Sequence, residues 1–428
     1  MPNKLSTVSA TFLVVASMLG TGILTTTGII LSLVKTPGAV IAVWLAGGIL
    51  AWFGAYCYGV IVKSLPHNGG EAIILKELFS PVLGEIAGWS SFVVGFAASN
   101  AATSLALAAY LAVAAPDLPL RGEWVACAAL VLVTALHSVL GPSGIRIQTL
   151  LAMAKFSLLA VLALYGLFLA APVSFSASPA DAPRVTAVFG SDWGVAMMLV
   201  MFAYSGWNAA IYVAAEVRNP ARSVRNAMVI GTTITLLLYV AVNLAVLRQL
   251  PPAEIEGVIP VISVLVKSLF GDGASRMFSG LVAFALISSL GASAFIGPRV
   301  LATILAWSRT ERQNEEPASP WVSPKLIWLQ GGISIVMVLS GTFEQILTVM
   351  GFLLGLFPIL CVIGLYRTAR HGGNRIPAVA RYFFGPLFIV TTSLILVLGA
   401  MQKPKEVMVA LLLVFTFFIL RQGLRRYA

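Results

Sequence analysis

The first long apolar segment of this chain, about residues 8–34, is interrupted at its centre by Met18-Leu19-Gly20-Thr21-Gly22-Ile23-Leu24. Small, helix-weak residues there leave backbone N–H and C=O groups without helical partners. Hydrocarbon cannot satisfy such groups, so a broken membrane helix survives only where its backbone is buried in protein or lines a cavity. A later apolar segment, Val195 to Val217, carries a matching interruption at Tyr204-Ser205-Gly206-Trp207-Asn208. One such glycine motif is most simply a close-packing device between helices. Two, at corresponding places in two halves of a chain, point to the binding site of a secondary transporter.

Composition fixes the class in which this argument operates. Of 428 residues, 59% are hydrophobic and only 10% charged, against about 25% charged in soluble domains. The chain is therefore expected to be an all-α polytopic membrane protein. At roughly 20 residues per span, hydropathy predicts twelve transmembrane helices. They fall at about 8–34, 38–63, 83–114, 123–140, 146–171, 194–216, 227–247, 274–307, 325–340, 345–366, 382–401 and 405–422. The segment from Pro252 to Phe270 is amphipathic and reads as a helical external loop, and Arg309–Pro324 as the most polar loop. No linker separates two domains and no cleavable signal peptide is evident, so residues 1–428 form one transporter domain.

Basic residues set the orientation. With a cytoplasmic N-terminus and twelve spans, 17 Lys and Arg fall inside, 8 fall outside, and Lys155 and Arg299 lie within spans. That bias places both termini in the cytoplasm of an inner-membrane protein. The net charge of +11 is then a matter of topology. The basic residues are scattered between apolar spans and form no nucleic-acid groove. Cys57, Cys127 and Cys361 sit in or at the ends of apolar spans and suit neither a disulfide framework nor a metal site. His67, His137 and His371 lack partners at metal spacing. No nucleophile elbow, Walker loop or dinucleotide fingerprint occurs. No metal, cofactor or enzymatic activity is expected; the lipid bilayer is an expected partner, and a partner subunit is not evident from the sequence.

The interrupted spans suit a zwitterion. The N-terminus of a half-helix offers N–H groups and a positive dipole end to a carboxylate. The C-terminus of the opposing half-helix offers free carbonyls to an ammonium. Gly20 and Gly22 admit a close ligand, Thr21 adds a hydroxyl, and the carbonyls of Phe202, Ala203 and Tyr204 precede the break at Ser205-Gly206. Gly20 and Ser205 lie at similar depths in two five-helix halves, about 8–171 and 194–366, as an inverted repeat requires.

Gly20-Thr21-Gly22-Ile23 resembles the first-helix motif of the amino acid–polyamine–organocation (APC) superfamily. Phe202-Ala203-Tyr204-Ser205-Gly206-Trp207-Asn208, continuing through Tyr212, Glu216 and Asn219-Pro220-Ala221-Arg222, resembles the sixth helix and following loop of its L-amino acid transporter (LAT) branch. Pro37-Gly38, Pro66 with Gly69-Gly70-Glu71, and Gly297-Pro298-Arg299 are similar to that branch too. The resemblance covers about the first ten helices. It implies a LeuT-like fold of five plus five inverted repeats, with two extra C-terminal helices at about 382–422. It also implies amino acid transport by alternating access.

By position, the resemblance puts carboxylate-binding backbone at Gly20, Thr21 and Gly22, next to Ile23. Amino-group carbonyls fall on Met18, Leu19, Phe202, Ala203 and Ser205, beside Tyr204 and Gly206, and Phe202 takes the place of the aromatic gate. Two positions depart from the family. Ser205 replaces a common glycine, and Ala215 replaces the first acid of a pair ending at Glu216. Lys155, about ten residues into the fifth span, is a functional candidate because a charge there is costly. A lysine at this place in the family stands where sodium binds in coupled relatives and bridges the first and eighth spans, here near Gly20 and Ser289 or Ser293. Such a tethered cation makes sodium coupling unexpected, and a lysine can also carry a proton. The expected function is sodium-independent exchange of neutral L-amino acids. Proton-coupled symport, cationic amino acid or polyamine exchange, and a channel or non-transporting receptor stand as alternatives.

Overall fold

A computed structural model describes residues 4–117, 121–140, 145–171, 192–309, 323–372 and 376–427. Residues 172–191 of the expected external loop Pro172–Trp193, and residues 310–322 of the expected polar loop Arg309–Pro324, lie outside the described residues. What is described is helical, with one isolated parallel bridge between Leu5 and Val217.

The first apolar segment folds as two helices, α1 (Thr7–Met18) and α2 (Gly22–Val34), bent by 44° at the break. α3 (Pro37–Ser64) opens with a Thr36 hydroxyl accepting the Ala39 N–H and Pro37 at its first position, where the missing proline N–H costs nothing. α4 (Gly70–Leu78) is a short helix entered through Gly69 at φ +123°. α5 (Pro81–Ala114) repeats the Ser-Pro start, with Ser80 as its cap. α6 (Gly122–Leu140) and α7 (Ile145–Leu164) follow.

The second broken element is α8 (Trp193–Ala203), a turn, then the 3₁₀ helix α9 (Ala209–Glu216). α10 (Pro220–Gln249) leads through the four-residue helix α11 (Pro252–Ile255) into α12 (Val261–Arg309), which kinks at Gly271 with φ +86°. That kink divides the expected loop helix from the expected eighth span. α13 (Pro324–Ser340), α14 (Phe343–Gly372), α15 (Ala380–Gln402) and α16 (Pro404–Tyr427) complete the chain.

Among the described residues, eight helices are long and apolar enough to cross a membrane, nine if α1 and α2 are one bent span. α8 and α13 are shorter apolar helices. The protein is thus a multi-pass membrane protein. Its outer surface agrees: Leu132, Val139, Phe168 and Leu169 are exposed and apolar, tolerable in hydrocarbon but not as a contiguous surface in water. Trp44, Tyr58, Tyr110, Tyr204 and Tyr239 are fully buried in the interior, where α3 lies along α10 and α5 along α12.

Candidate functional site

The two breaks interlock. A methyl group at Gly22 would collide with the backbone of Ala203, the last residue of α8. A methyl at Gly206 would lie 2.7 Å from the Ser17 carbonyl, at the end of α1. Each half-helix therefore ends against the other break's glycine. Gly206 is needed twice over, because its φ of +97° is also hostile to other residues. Gly20 differs from both. A methyl there meets only the Met18 carbonyl, at 4.0 Å, so Gly20 faces open space.

The backbone at the first break is partly engaged. Gly20 N–H donates to the Met18 carbonyl at 2.7 Å, and Leu24 N–H to that of Thr21 at 3.0 Å. Gly22 and Ile23 occupy the first positions of α2, whose N–H groups have no intrahelical acceptor. The Thr21 side chain caps nothing; its carbonyl and that of Gly22 accept from Thr25 and Thr26 hydroxyls, both at 2.8 Å. Across the molecule, Tyr239 of α10 donates its hydroxyl to the Met18 carbonyl at 2.5 Å. Tyr110 of α5 donates to the Leu24 carbonyl at 2.8 Å.

Lys155 of α7 reaches the same break. Its Nζ donates to the Leu19 carbonyl and to the Ser289 hydroxyl of α12, both at 3.2 Å. One ammonium thus spans α1, α7 and α12. Ser293, one turn beyond Ser289, accepts through its carbonyl from Gln330 of α13 at 3.0 Å.

At the second break, Tyr204 N–H still bonds the Val200 carbonyl, and Ser205 N–H turns back to that of Phe202, both at 2.9 Å. Phe202 and Ala203 are buried. The Tyr204 side chain points into α3, donating to the Trp44 carbonyl at 3.1 Å and packing on the Trp44 and Tyr239 rings. Ser205 and Gly206 line a small cavity of about 40 Å³ between α3, α14 and α15, which reaches Glu71 of α4 and Asn208. The Trp207 ring sits at its edge, 4.7 Å from Tyr58.

Both ends of this arrangement are covered. At one, Leu5 pairs with the loop after α9, its N–H bonding the Glu216 carbonyl at 2.8 Å. Asn68 there accepts from the Ala215 N–H at 2.9 Å and donates to the Glu216 carboxylate at 3.3 Å. At the other, the Gly257 N–H bonds the Gly28 carbonyl at 2.9 Å, and Lys35 pairs with Glu256 at 2.5 Å. Among the described residues no His, Cys, Asp and Glu cluster could hold a metal.

Sequence reasoning missed Tyr239, whose hydroxyl holds the Met18 carbonyl, and the buried carboxyl of Glu71 behind the second break. Neither carries a local signal: Tyr239 lies in an unbroken apolar helix, and Glu71 reads as the first-turn acid of a loop helix.

Comparison with known proteins agrees with the geometry. An amino acid permease family model matches residues 5–420. The b(0,+)-type amino acid transporter 1 of Mus musculus is 25% identical over 415 residues, covering 90% of this chain and 80% of that protein. The serine/threonine exchanger SteT of Bacillus subtilis (strain 168) is 22% identical over 395 residues, covering 89% and 87%. The human cystine/glutamate transporter is 23% identical over 406 residues, covering 90% and 77%. These relatives are transporters of the LAT-like kind, not enzymes. The chain belongs to the amino acid permease family, within the APC superfamily.

Proposed function

We propose that this protein exchanges neutral L-amino acids across the inner membrane by alternating access, without sodium. Its twelve spans are arranged as two inverted five-helix repeats followed by two helices, with both termini in the cytoplasm. The substrate lies against Gly20, its carboxylate on the N–H groups at the start of α2 and its ammonium toward the carbonyls ending α1 and α8. Phe202 gates that space, and the Lys155 ammonium holds the position a sodium ion would need.

One observation carries this reading. The open space at Gly20 adjoins two helix termini, and the ionised Lys155 side chain at the break is bonded to Leu19 and Ser289. Backbone can read a zwitterion there, and the Lys155 ammonium is already engaged by protein acceptors. Exchange is supported by the Bacillus subtilis relative, a serine/threonine exchanger. The test is counterflow in proteoliposomes loaded with each common amino acid, with and without sodium. Exchange confined to neutral amino acids and indifferent to sodium is expected. Exchange driven by arginine or putrescine alone, or dependent on sodium, overturns the reading.

A further inference from the structure

The Glu71 carboxyl is not used by the site just described, yet it is only 8% exposed. It stands at the far end of the cavity behind the second break, where three elements meet. Tyr58 of α3 donates its hydroxyl to Oε1 at 2.9 Å. Asn208, within the break, donates its Nδ2 to the same oxygen at 2.8 Å. Both donors are neutral. A buried carboxylate normally comes with a cation, since desolvation of an unpaired charge is costly.

The neighbouring charges are turned elsewhere. Lys76 of α4 has its Cα and Cβ against Gly84 of α5, the helix that also carries buried Glu85, and it is not among the groups that act on the Glu71 carboxyl. Arg225 of α10 lies over the Tyr56 ring of α3. Arg367 of α14 bonds the Leu78 carbonyl and covers the Phe79 ring. Glu216 of α9 is held by Asn68. The titratable groups that do face Glu71 are Tyr58, Tyr212 of α9 and Cys361 of α14, all neutral near pH 7.

We propose that Glu71 is a proton-binding site that is filled while α4 and the second break are joined and emptied when they part. The proton comes from the water on the Gly69 side of the protein, adds to a carboxylate oxygen, and returns to the same water. Nothing else is made or broken. Burial pushes the carboxyl up to about 7, against the lowering effect of the Tyr58 and Asn208 hydrogen bonds. Position in the first turn of α4 also favours the charged form. Separation of Asn208 admits water, and the group then returns toward its ordinary value of 4.5. Between those two values, each rise of one pH unit shifts the ratio of joined to parted states by up to about tenfold toward parted. The consequence for exchange rests on the transport reading above; the proton site does not.

The test is infrared titration of the purified full-length protein, following the protonated-carboxyl C=O band that Glu71→Gln removes. Wild type is expected to lose this band with a midpoint near pH 7. Tyr58→Phe, which deletes a donor to the charged form, should move the midpoint upward. A midpoint in the ordinary carboxylate range, or no band difference between wild type and Glu71→Gln, overturns the site. In proteoliposomes, exchange of labelled L-serine and L-leucine should vary with pH on the Gly69 side in wild type and flatten in Glu71→Gln. The same pH profile in both proteins overturns the link to the cycle. Absence of exchange in wild type with the band present sinks the transport reading and leaves the proton site standing.

Discussion

Gly20 and Gly22 are two residues apart and do different work. Gly22 is a packing glycine, closed by the Ala203 backbone, whereas Gly20 borders open space. Overpacking a close contact costs about 1–3 kcal/mol. Gly22→Ala is therefore expected to lower the Tm in detergent. Gly20→Ala should leave the Tm unchanged and slow exchange at least tenfold, because its methyl enters only the open space where the substrate is proposed to lie. Equal losses of Tm in both variants would contradict the distinction. The sequence showed both glycines as one motif; their separation depends on which neighbour arrives from α8, and no local pattern encodes that. Lys155 was legible as a costly charge in an apolar span, and its partners Leu19 and Ser289 follow only from the fold. Lys155→Ala leaves the Leu19 carbonyl short of a donor, a defect of about 1–3 kcal/mol. Exchange should fall by about tenfold or more in that variant, and added sodium should not restore it. Wild-type rates would reduce Lys155 to a packing residue.

At the scale of elements, the broken first segment was readable because glycine and threonine interrupt a long apolar run. The second half of the sixth segment was not. It reads as apolar and helical, yet α9 is a 3₁₀ helix with Val213 outside helical geometry. Its path is set by contacts from elsewhere: Asn68 takes the Ala215 N–H, and Leu5 bridges to Val217. α5 likewise carries a wider π segment, Ser91–Ala98, inside a run that looks uniformly α-helical. Hydrophobic period alone cannot distinguish these windings. Because α9 is held at its end by a side chain from the loop before α4, Asn68→Ala should release it. Hydrogen exchange of peptides spanning 209–218 is expected to accelerate, with α3 and α10 unchanged. Unaltered protection at Ala215 would mean that the Leu5 bridge holds α9 by itself.

For the whole molecule, hydropathy gave the class and the order of helices, and the bias of basic residues gave an orientation. Eight or nine helices meet the length and composition of a span among the described residues; α8 and α13 fall short because one is cut by the break and the other ends at Ser340. The orientation is testable at exposed sites on opposite ends. His67 lies in the loop between α3 and α4, and Thr342 between α13 and α14. In a background without Cys57, Cys127 and Cys361, an impermeant thiol reagent applied outside intact cells should label Thr342→Cys and spare His67→Cys. The reverse pattern would invert the molecule.

The reciprocal seating of the two breaks has a consequence for what crosses the membrane when no amino acid is present. Ser17 closes on Gly206 and Ala203 closes on Gly22, so neither half-helix can withdraw without uncovering the other. Motion at the centre is thereby expected to be concerted, since displacement of one half-helix opens the contact that seats the other. A bilayer crowded with this protein is then expected to stay electrically tight without amino acid, so that proteoliposomes hold an imposed potential that a potential-sensitive dye can follow.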